Sequence, residues 1–190
     1  MFTEQQYIEA SVALGVSVPV VKAIARVESN GSGFYKSGQP KILFEPHKFG
    51  EFTKGVYNKS HPTISKRRWS KNQYGGPIAT RKRFEQAKAL DETAALKATS
   101  WTAFQIMGFN YKACGFETVQ DFVKEAVSSE GAGLKIFVRF MIHEGLHLLL
   151  QSKNYDLYFE RYNGKSYKAL EYDIKFFNGC RIVKKMGFAD

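Results

Sequence analysis

Between residues 4 and 14, Tyr7, Ile8, Ser11, Val12 and Leu14 recur at near-helical spacing and Gly15 ends the run, which predicts a first helix. Pro19 suits the first turn of a second helix, with Val20, Val21, Ile24, Ala25 and Val27 behind it. Asn30-Gly-Ser-Gly33 stops that helix abruptly. From Gly31 to about Gly76 the chain is crowded with turn formers, and short apolar runs such as Ile42-Leu43-Phe44 lie between them. This stretch reads as a long irregular lobe with a small β-hairpin, and loops of that length tend to be functional. Helical periodicity returns near residue 80 and predicts helices over 81–90, 92–107, 118–128, 131–150, 154–162 and 166–185. The expected architecture is mainly α, of the α+β kind: an orthogonal helical domain beside an irregular lobe, with a cleft between them as the natural ligand site.

No internal repeat, low-complexity tract or Pro/Gly/Ser linker divides the 190 residues, so one domain over 1–190 is expected. The composition, 44% hydrophobic and 15% aromatic, excludes intrinsic disorder. No run approaches the ~18 apolar residues of a membrane helix. The N-terminus lacks the basic and apolar regions of a secretory signal, so synthesis in a cytoplasm is expected. Cys114 and Cys180 have no C-x-x-C spacing and read as free buried thiols. The formal charge of +10 implies an anionic partner such as nucleic acid, lipid headgroups or an acidic wall polymer. Its clusters, Lys66-Arg67-Arg68, Arg81-Lys82-Arg83 and Lys184-Lys185, carry no nucleic-acid-binding signature and read as solvated faces.

Candidate chemistry begins with Glu28, in the last turn of the second helix. The carbonyl end of a helix and the apolar residues one turn back, Ile24 and Val21, both disfavour its ionisation. A carboxyl kept protonated near neutrality can act as the general acid of glycoside cleavage. Ser100-Trp-Thr-Ala-Phe-Gln-Ile-Met-Gly-Phe-Asn110 reads as an apolar helix end carrying Gln105, a glycine and Asn110, and Arg161-Tyr-Asn-Gly164 closes a further helix. Considered alone, Glu28 also fits an ordinary surface glutamate.

The order Glu-Ser, then Phe-Gln-Ile-Met-Gly, then Tyr-Asn-Gly resembles the lysozyme superfamily of goose-type lysozymes and lytic transglycosylases. Val27-Glu-Ser-Asn-Gly-Ser-Gly-Phe34, Pro40-Lys-Ile-Leu-Phe-Glu-Pro-His47, Ala89-Leu-Asp91, Ser100-Trp101, Phe104–Tyr111 and Tyr162-Asn-Gly164 narrow the likeness. Over roughly residues 4–187 the chain resembles the N-acetylmuramidase catalytic domain of phage endolysins. The resemblance implies a monomeric glycoside hydrolase without cofactor or metal. It would cleave the β-1,4 bond between N-acetylmuramic acid and N-acetylglucosamine in peptidoglycan, reaching the periplasmic wall after membrane release and lysing the host. It implies Glu28 as the catalytic acid, with Ser29, His47, Tyr74, Gln105, Asn110, Tyr162 and Asn163 as the substrate-binding set. Thr102 departs from the family's usual glycine and is expected to reshape the cleft floor. No room remains for a separate wall-binding module, whose place the positive charge would take by attraction to the wall and to anionic outer-membrane lipid.

The second carboxylate of a two-carboxyl mechanism is open, with Glu45 first by position and Asp91 next. Asp91 also reads as a helix N-cap, and Glu45 as a partner of backbone donors or His47. Catalysis by one glutamate, closed by water or by the sugar's C6 hydroxyl, needs neither. Tyr57, Trp69, Tyr74, Trp101, Tyr111 and Tyr162 are candidate sugar-stacking aromatics, although Trp101 reads as core. His143-Glu-Gly-Leu-His147 spells the H-E-x-x-H zincin motif, whose two histidines would share one helical face with Glu144 as base. No histidine follows to complete a ligand set, so a zinc metallopeptidase stands as an alternative. A non-catalytic basic module binding the wall or nucleic acid is the other.

Overall fold

The computed structural model describes residues 2–185, except Asn30, Lys71, Asn72, Leu170 and the side chains of Lys184 and Lys185. Helix α1 spans Glu4–Leu14. It opens on a capping box in which the Thr3 hydroxyl accepts from the Gln6 amide and the Gln6 side chain accepts from the Thr3 amide, and Gly15 closes it in the left-handed conformation. Helix α2, Val18–Glu28, has Pro19 in its first turn and meets α1 at a bend of 103°. Orthogonal helices were the expectation, and the apolar face of α2 (Val21, Ala23, Ile24, Ala25) is buried. No single helix is long and apolar enough to cross a membrane among the described residues.

The lobe carries strand β1 (Leu43–Phe44) and helix α3 (Pro46–Phe52), followed by turns that lead to α4 (Gly76–Leu90). Helix α5 (Glu92–Lys97) begins at Asp91, whose carboxylate accepts from the Ala94 amide at 2.8 Å. That settles Asp91 as an N-cap.

Beyond α5 the sequence expectation of one helix over 92–107 fails. The chain forms β2 (Thr99–Trp101) and β3 (Ile106–Met107), which with β1 make a three-stranded antiparallel sheet, and then a 3-10 turn at Gly108–Asn110. The apolar spacing of this segment matched a helix, but its pairing partner, β1, lies far away in sequence: Leu43 opposes Ser100 and Phe44 opposes Thr99. The small hairpin expected inside the lobe is accordingly a lobe strand paired outside it, and the lobe's own pairing among the described residues is the bridge Phe34–Pro40.

The register gives the sheet two faces, because directly opposed residues share a side. Phe44, Thr99, Trp101 and Ile106 point into the core, where Trp101 meets Phe84 edge-on and donates its indole N–H to the Leu96 carbonyl. Leu43, Ser100 and Met107 occupy the other face. The turn between β2 and β3 is pinned by Phe104, which stacks on Phe137 with ring centroids 4.2 Å apart.

The remaining helices are α6 (Val119–Ala126), α7 (Glu130–His143), α8 (Leu146–Gln151), α9 (Tyr155–Asn163) and α10 (Tyr172–Lys185). The single helix expected over 131–150 is two, because Gly145 takes a left-handed conformation (φ 67°) between α7 and α8. Helix α7 is buried along most of its length, as a central helix packed by α1, α6 and α8. Helix α10 starts later than residue 166 and lies along α2, with Gly179 closely against Ala23.

Thr102 sits in the β2–β3 turn at φ 66°, a region that strains a β-branched side chain by about 1–2 kcal/mol and that glycine reaches freely. Its hydroxyl accepts from the Phe104 amide at 3.2 Å, which offsets part of that strain. Thr102→Gly is therefore expected to change unfolding free energy by less than about 1 kcal/mol, strain relief and the lost hydrogen bond opposing each other. Thr102→Val keeps the strain and loses the bond, and in urea denaturation should lose about 1 kcal/mol or more.

Candidate active site

Glu28 is the last residue of α2, and the chain turns away at once because Ser29 caps the helix in an extended conformation. The half-buried carboxyl faces α9. Asn163 Nδ2 donates to Glu28 Oε1 at 3.0 Å, and the fully buried Tyr158 hydroxyl donates to the same oxygen at 3.4 Å. Tyr158 and Tyr162, one turn apart on α9, stack in parallel at 5.9 Å, and Tyr162 meets Phe137 edge-on. Burial raises the Glu28 pKa to about 7, against the downward pull of the Asn163 and Tyr158 bonds. Burial and the nearby Glu28 charge push both tyrosines well above their ordinary range, so both remain hydrogen-bond donors at neutral pH.

Tyr162 also lines a cleft of about 450 Å³, together with Gln105, Met107, Asn110, Glu144 and Arg161. Gln105, Asn110 and Tyr162, expected from sequence as cleft residues, do come together. Gln105 sits at the end of a strand turn rather than on a helix, at φ 52°. Its amide is oriented at both ends: Ser100 Oγ donates to its oxygen at 2.8 Å and its nitrogen donates to the Thr102 carbonyl at 3.0 Å. Asn110 lies in the 3-10 turn that follows.

The loop after Glu28 is fastened from two sides. Glu130, in the first turn of α7, accepts from the Gly33 amide at 2.9 and 3.1 Å and from the Ser32 hydroxyl. A side chain at Gly33 would lie 2.7 Å from the Ala103 amide nitrogen, so glycine permits the loop to touch the β2–β3 turn.

A second polar group surrounds Glu45, the residue after β1. Tyr74 OH donates to both Glu45 oxygens at 3.0 Å, Gln73 Nε2 donates to Oε2 at 3.0 Å, and His47 Nδ1 lies 3.3 Å from Oε2. Trp69 Nε1 donates to the Tyr74 oxygen at 2.9 Å. Burial raises the Glu45 pKa, partly offset by Tyr74 and Lys48, and lowers that of His47. The sequence offered His47 as a partner for Glu45, and the structure adds Tyr74 and Trp69, candidates from a later segment.

Several expectations need correction. Helix α7 ends at His143, Glu144 caps it and Gly145 turns the backbone left-handed, so His143 and His147 do not share one helical face as the zincin reading requires. His143 contacts Glu144 at 3.0 Å instead. No group of three or more His, Cys, Asp or Glu side chains among the described residues is arranged to hold a metal. Arg81 and Arg83 are not plain solvated charges, since they donate to the Pro40 and Tyr74 carbonyls and tie α4 to the lobe. The side chains of Lys184 and Lys185 lie outside the described residues. Cys114 is a free, buried thiol, whereas Cys180, also expected buried, is half-buried. Tyr57 is held in the core by Phe49 and by its bond to the Leu90 carbonyl.

Sequence reasoning missed Tyr158, Gln73, Glu130 and the cleft position of Glu144. The i, i+4 spacing of Tyr158 and Tyr162 was a usable signal for the first. The others depend on contacts between distant segments.

The Glu28 shift has a stability consequence. The native carboxyl holds its proton up to about pH 7, whereas the unfolded one releases it near 4.5. Its contribution is complete below pH 4.5 and is lost as pH rises through 7, leaving a buried charge that costs up to about 3 kcal/mol. Glu28→Gln keeps an acceptor for Asn163 and carries no charge. It should melt higher than wild type at pH 8, with the gap closing below pH 4.5; equal melting temperatures across that range would disprove the shift.

Residues 17–181 match the N-acetylmuramidase family. The crystal structure of the Burkholderia AP3 phage endolysin aligns with a TM-score of 0.91 at 33% sequence identity, over 97% of this chain and 72% of that one. No curated protein matches the chain. The matched span holds the helix that ends in Glu28, the strand turn that presents Gln105 and the helix that carries Tyr158, Tyr162 and Asn163, and on that match the chain belongs to the N-acetylmuramidase family.

Proposed function

We propose that this chain is the catalytic domain of a peptidoglycan-degrading phage endolysin, with Glu28 as the general acid that cleaves the β-1,4 bond between N-acetylmuramic acid and N-acetylglucosamine. The observation that carries the reading is a half-buried carboxyl whose proton affinity is raised to about pH 7 and whose charge acts on Tyr162, a residue of the cleft wall. A carboxyl with that affinity is about half protonated at neutral pH, against almost none for an ordinary glutamate, and can hand its proton to a leaving oxygen. As the glycosidic C–O bond breaks, the proton moves from Glu28 to the departing oxygen and positive charge develops at the muramic anomeric carbon. The carboxylate left behind accepts from Asn163 and Tyr158, so both donors act most strongly on the charged product of the transfer.

Gln105, Asn110 and Tyr162 supply the polar and aromatic wall against which the sugar lies, and Ser29 and His47 extend the substrate-binding set. This chemistry asks for one carboxylate. Water as nucleophile yields a reducing end, whereas the C6 hydroxyl of the muramic residue yields an anhydro end. The enzyme would act on the wall after membrane release, and its charge of +10 would draw it to the acidic wall polymer and to anionic outer-membrane lipid.

Glu28→Gln should lower glycan cleavage by at least about 10²-fold while the protein stays folded. Mass spectrometry of the released muropeptides reads bond, end group and nucleophile together; undiminished cleavage by the Gln variant would remove Glu28 from the chemistry. In wild type, activity should fall as pH rises through about 7. Asn163→Ala deletes a bond that favours the charged form, so its alkaline limb should move upward. Lysis should survive strong chelation, since the paired histidines do not form a metal face.

A further inference from the structure

Beside the Glu28 cluster, the protein holds a second polar network whose outermost member is a tryptophan. Trp69 is 57% exposed, although an indole of that area is usually withdrawn from water. It is also tethered, because its N–H donates to Tyr74, whose hydroxyl donates in turn to both oxygens of Glu45. From the other side Arg83 donates to the Tyr74 carbonyl. Gln73, only 3% exposed, turns its nitrogen to Glu45 although this leaves its buried Oε1 without a hydrogen-bond partner among the described residues. An unpaired buried acceptor is unfavourable, so the orientation of Gln73 is dictated by the carboxylate it serves. Glu45 is therefore the acceptor hub of this network, and its oxygens are already engaged by Tyr74 and Gln73.

The sheet register decides which way this hub faces. Phe44 points into the core, so Glu45, the next residue, lies on the opposite side. That side also carries Leu43, Ser100 and Met107, and Met107 lines the cleft. Ser100 on the same face holds the Gln105 amide. The Glu45 hub thus follows edge strand β1 and the cleft-lining Met107 sits on β3, with Ser100 of β2 between them on the same sheet face and the exposed indole outermost.

We propose that Glu45 is a positioning residue and not a reacting carboxylate, and that through Tyr74 it fixes Trp69 as a stacking platform for a sugar ring of the glycan strand, away from the bond that is cut. This rests on the glycan-cleaving reading above. An indole held by its N–H presents a flat C–H-rich surface in one orientation, which suits the apolar face of a hexopyranose and lowers the ordering required on binding. A chain of hydrogen bonds ending in a carboxylate keeps that surface in place more firmly than a neutral one would.

The test uses peptide-free glycan strands of two lengths, short fragments and long strands, with Trp69→Ala, Tyr74→Phe and Glu45→Gln. Trp69 is exposed and Tyr74→Phe retains its ring, so these two variants cover the case in which Glu45→Gln fails to fold. On long strands all three should raise KM by about fivefold, with a smaller rise on short fragments and with kcat falling less than KM rises. In a Glu28→Gln background, long strands should change tryptophan fluorescence, and adding Trp69→Ala should abolish the change; the other tryptophan, Trp101, is buried. An unaltered KM for Trp69→Ala on long strands overturns the platform. A kcat loss for Glu45→Gln that is equal on both lengths at constant KM overturns the positioning role and makes Glu45 a reacting group. If wild type cleaves neither length, the glycan-cleaving reading falls and takes this proposal with it.

Discussion

Burial of the Glu28 carboxyl against α9 is the contact around which the site is organised. Desolvation raises its proton affinity, while Asn163 and Tyr158 pull the other way, and desolvation wins. Both hydrogen-bond donors come from outside α2, on α9. Both require α9 to lie across the end of that helix with Tyr158, Tyr162 and Asn163 inward, and α9 is placed by the aromatic packing of Tyr162 on Phe137 of the central helix. A buried carboxylate above neutral pH works against the fold, the usual tension between a functional site and stability.

The same central helix sets the opposite wall of the cleft. Phe137 stacks on Phe104, the residue that anchors the β2–β3 turn, and that turn delivers Gln105. Its two left-handed residues, Thr102 and Gln105, accept unfavourable backbone conformations in a segment over-determined by Phe104 burial and by sheet pairing. Glu130 at the start of that helix fastens the loop that leaves Glu28. One helix therefore holds the acid's loop, the amide's turn and the tyrosine behind them, which is how groups from distant parts of the chain keep a common geometry.

The three-stranded sheet divides two tasks between its faces. Phe44, Thr99, Trp101 and Ile106 secure it to the core, while Ser100 and Met107 look toward the cleft. The lobe that carries β1 is connected to this second face through Glu45 and its partners, and α4 grips the lobe through Arg81 and Arg83. Part of the positive charge is thus structural.

Much of this was legible in the residues alone. Local signals located α1 and α2: the glycine after Leu14 and the proline at the head of the second helix each act within a few residues of where they stand, although Ile8 and Val12, part of the spacing that pointed to α1, face solvent. Glu28, at a helix end with apolar residues one turn back, could be singled out for the same reason, and Asp91 as a cap. The β2–β3 hairpin could not, because its apolar spacing suits a helix as well as a strand and the choice is made by β1, more than fifty residues away. The break at Gly145, which separates His143 from His147, is likewise a tertiary outcome in a run whose composition tolerates a continuous helix. Tyr158 behind Glu28, Glu130 beneath its loop and Gln73 beside Glu45 join segments remote in sequence, and only packing decides such contacts. Residue type and spacing determined that the chain would hold an acid at a helix end within a helical fold; the tertiary structure decided what surrounds that acid, because desolvation is a property of neighbours that the chain brings together only when it folds.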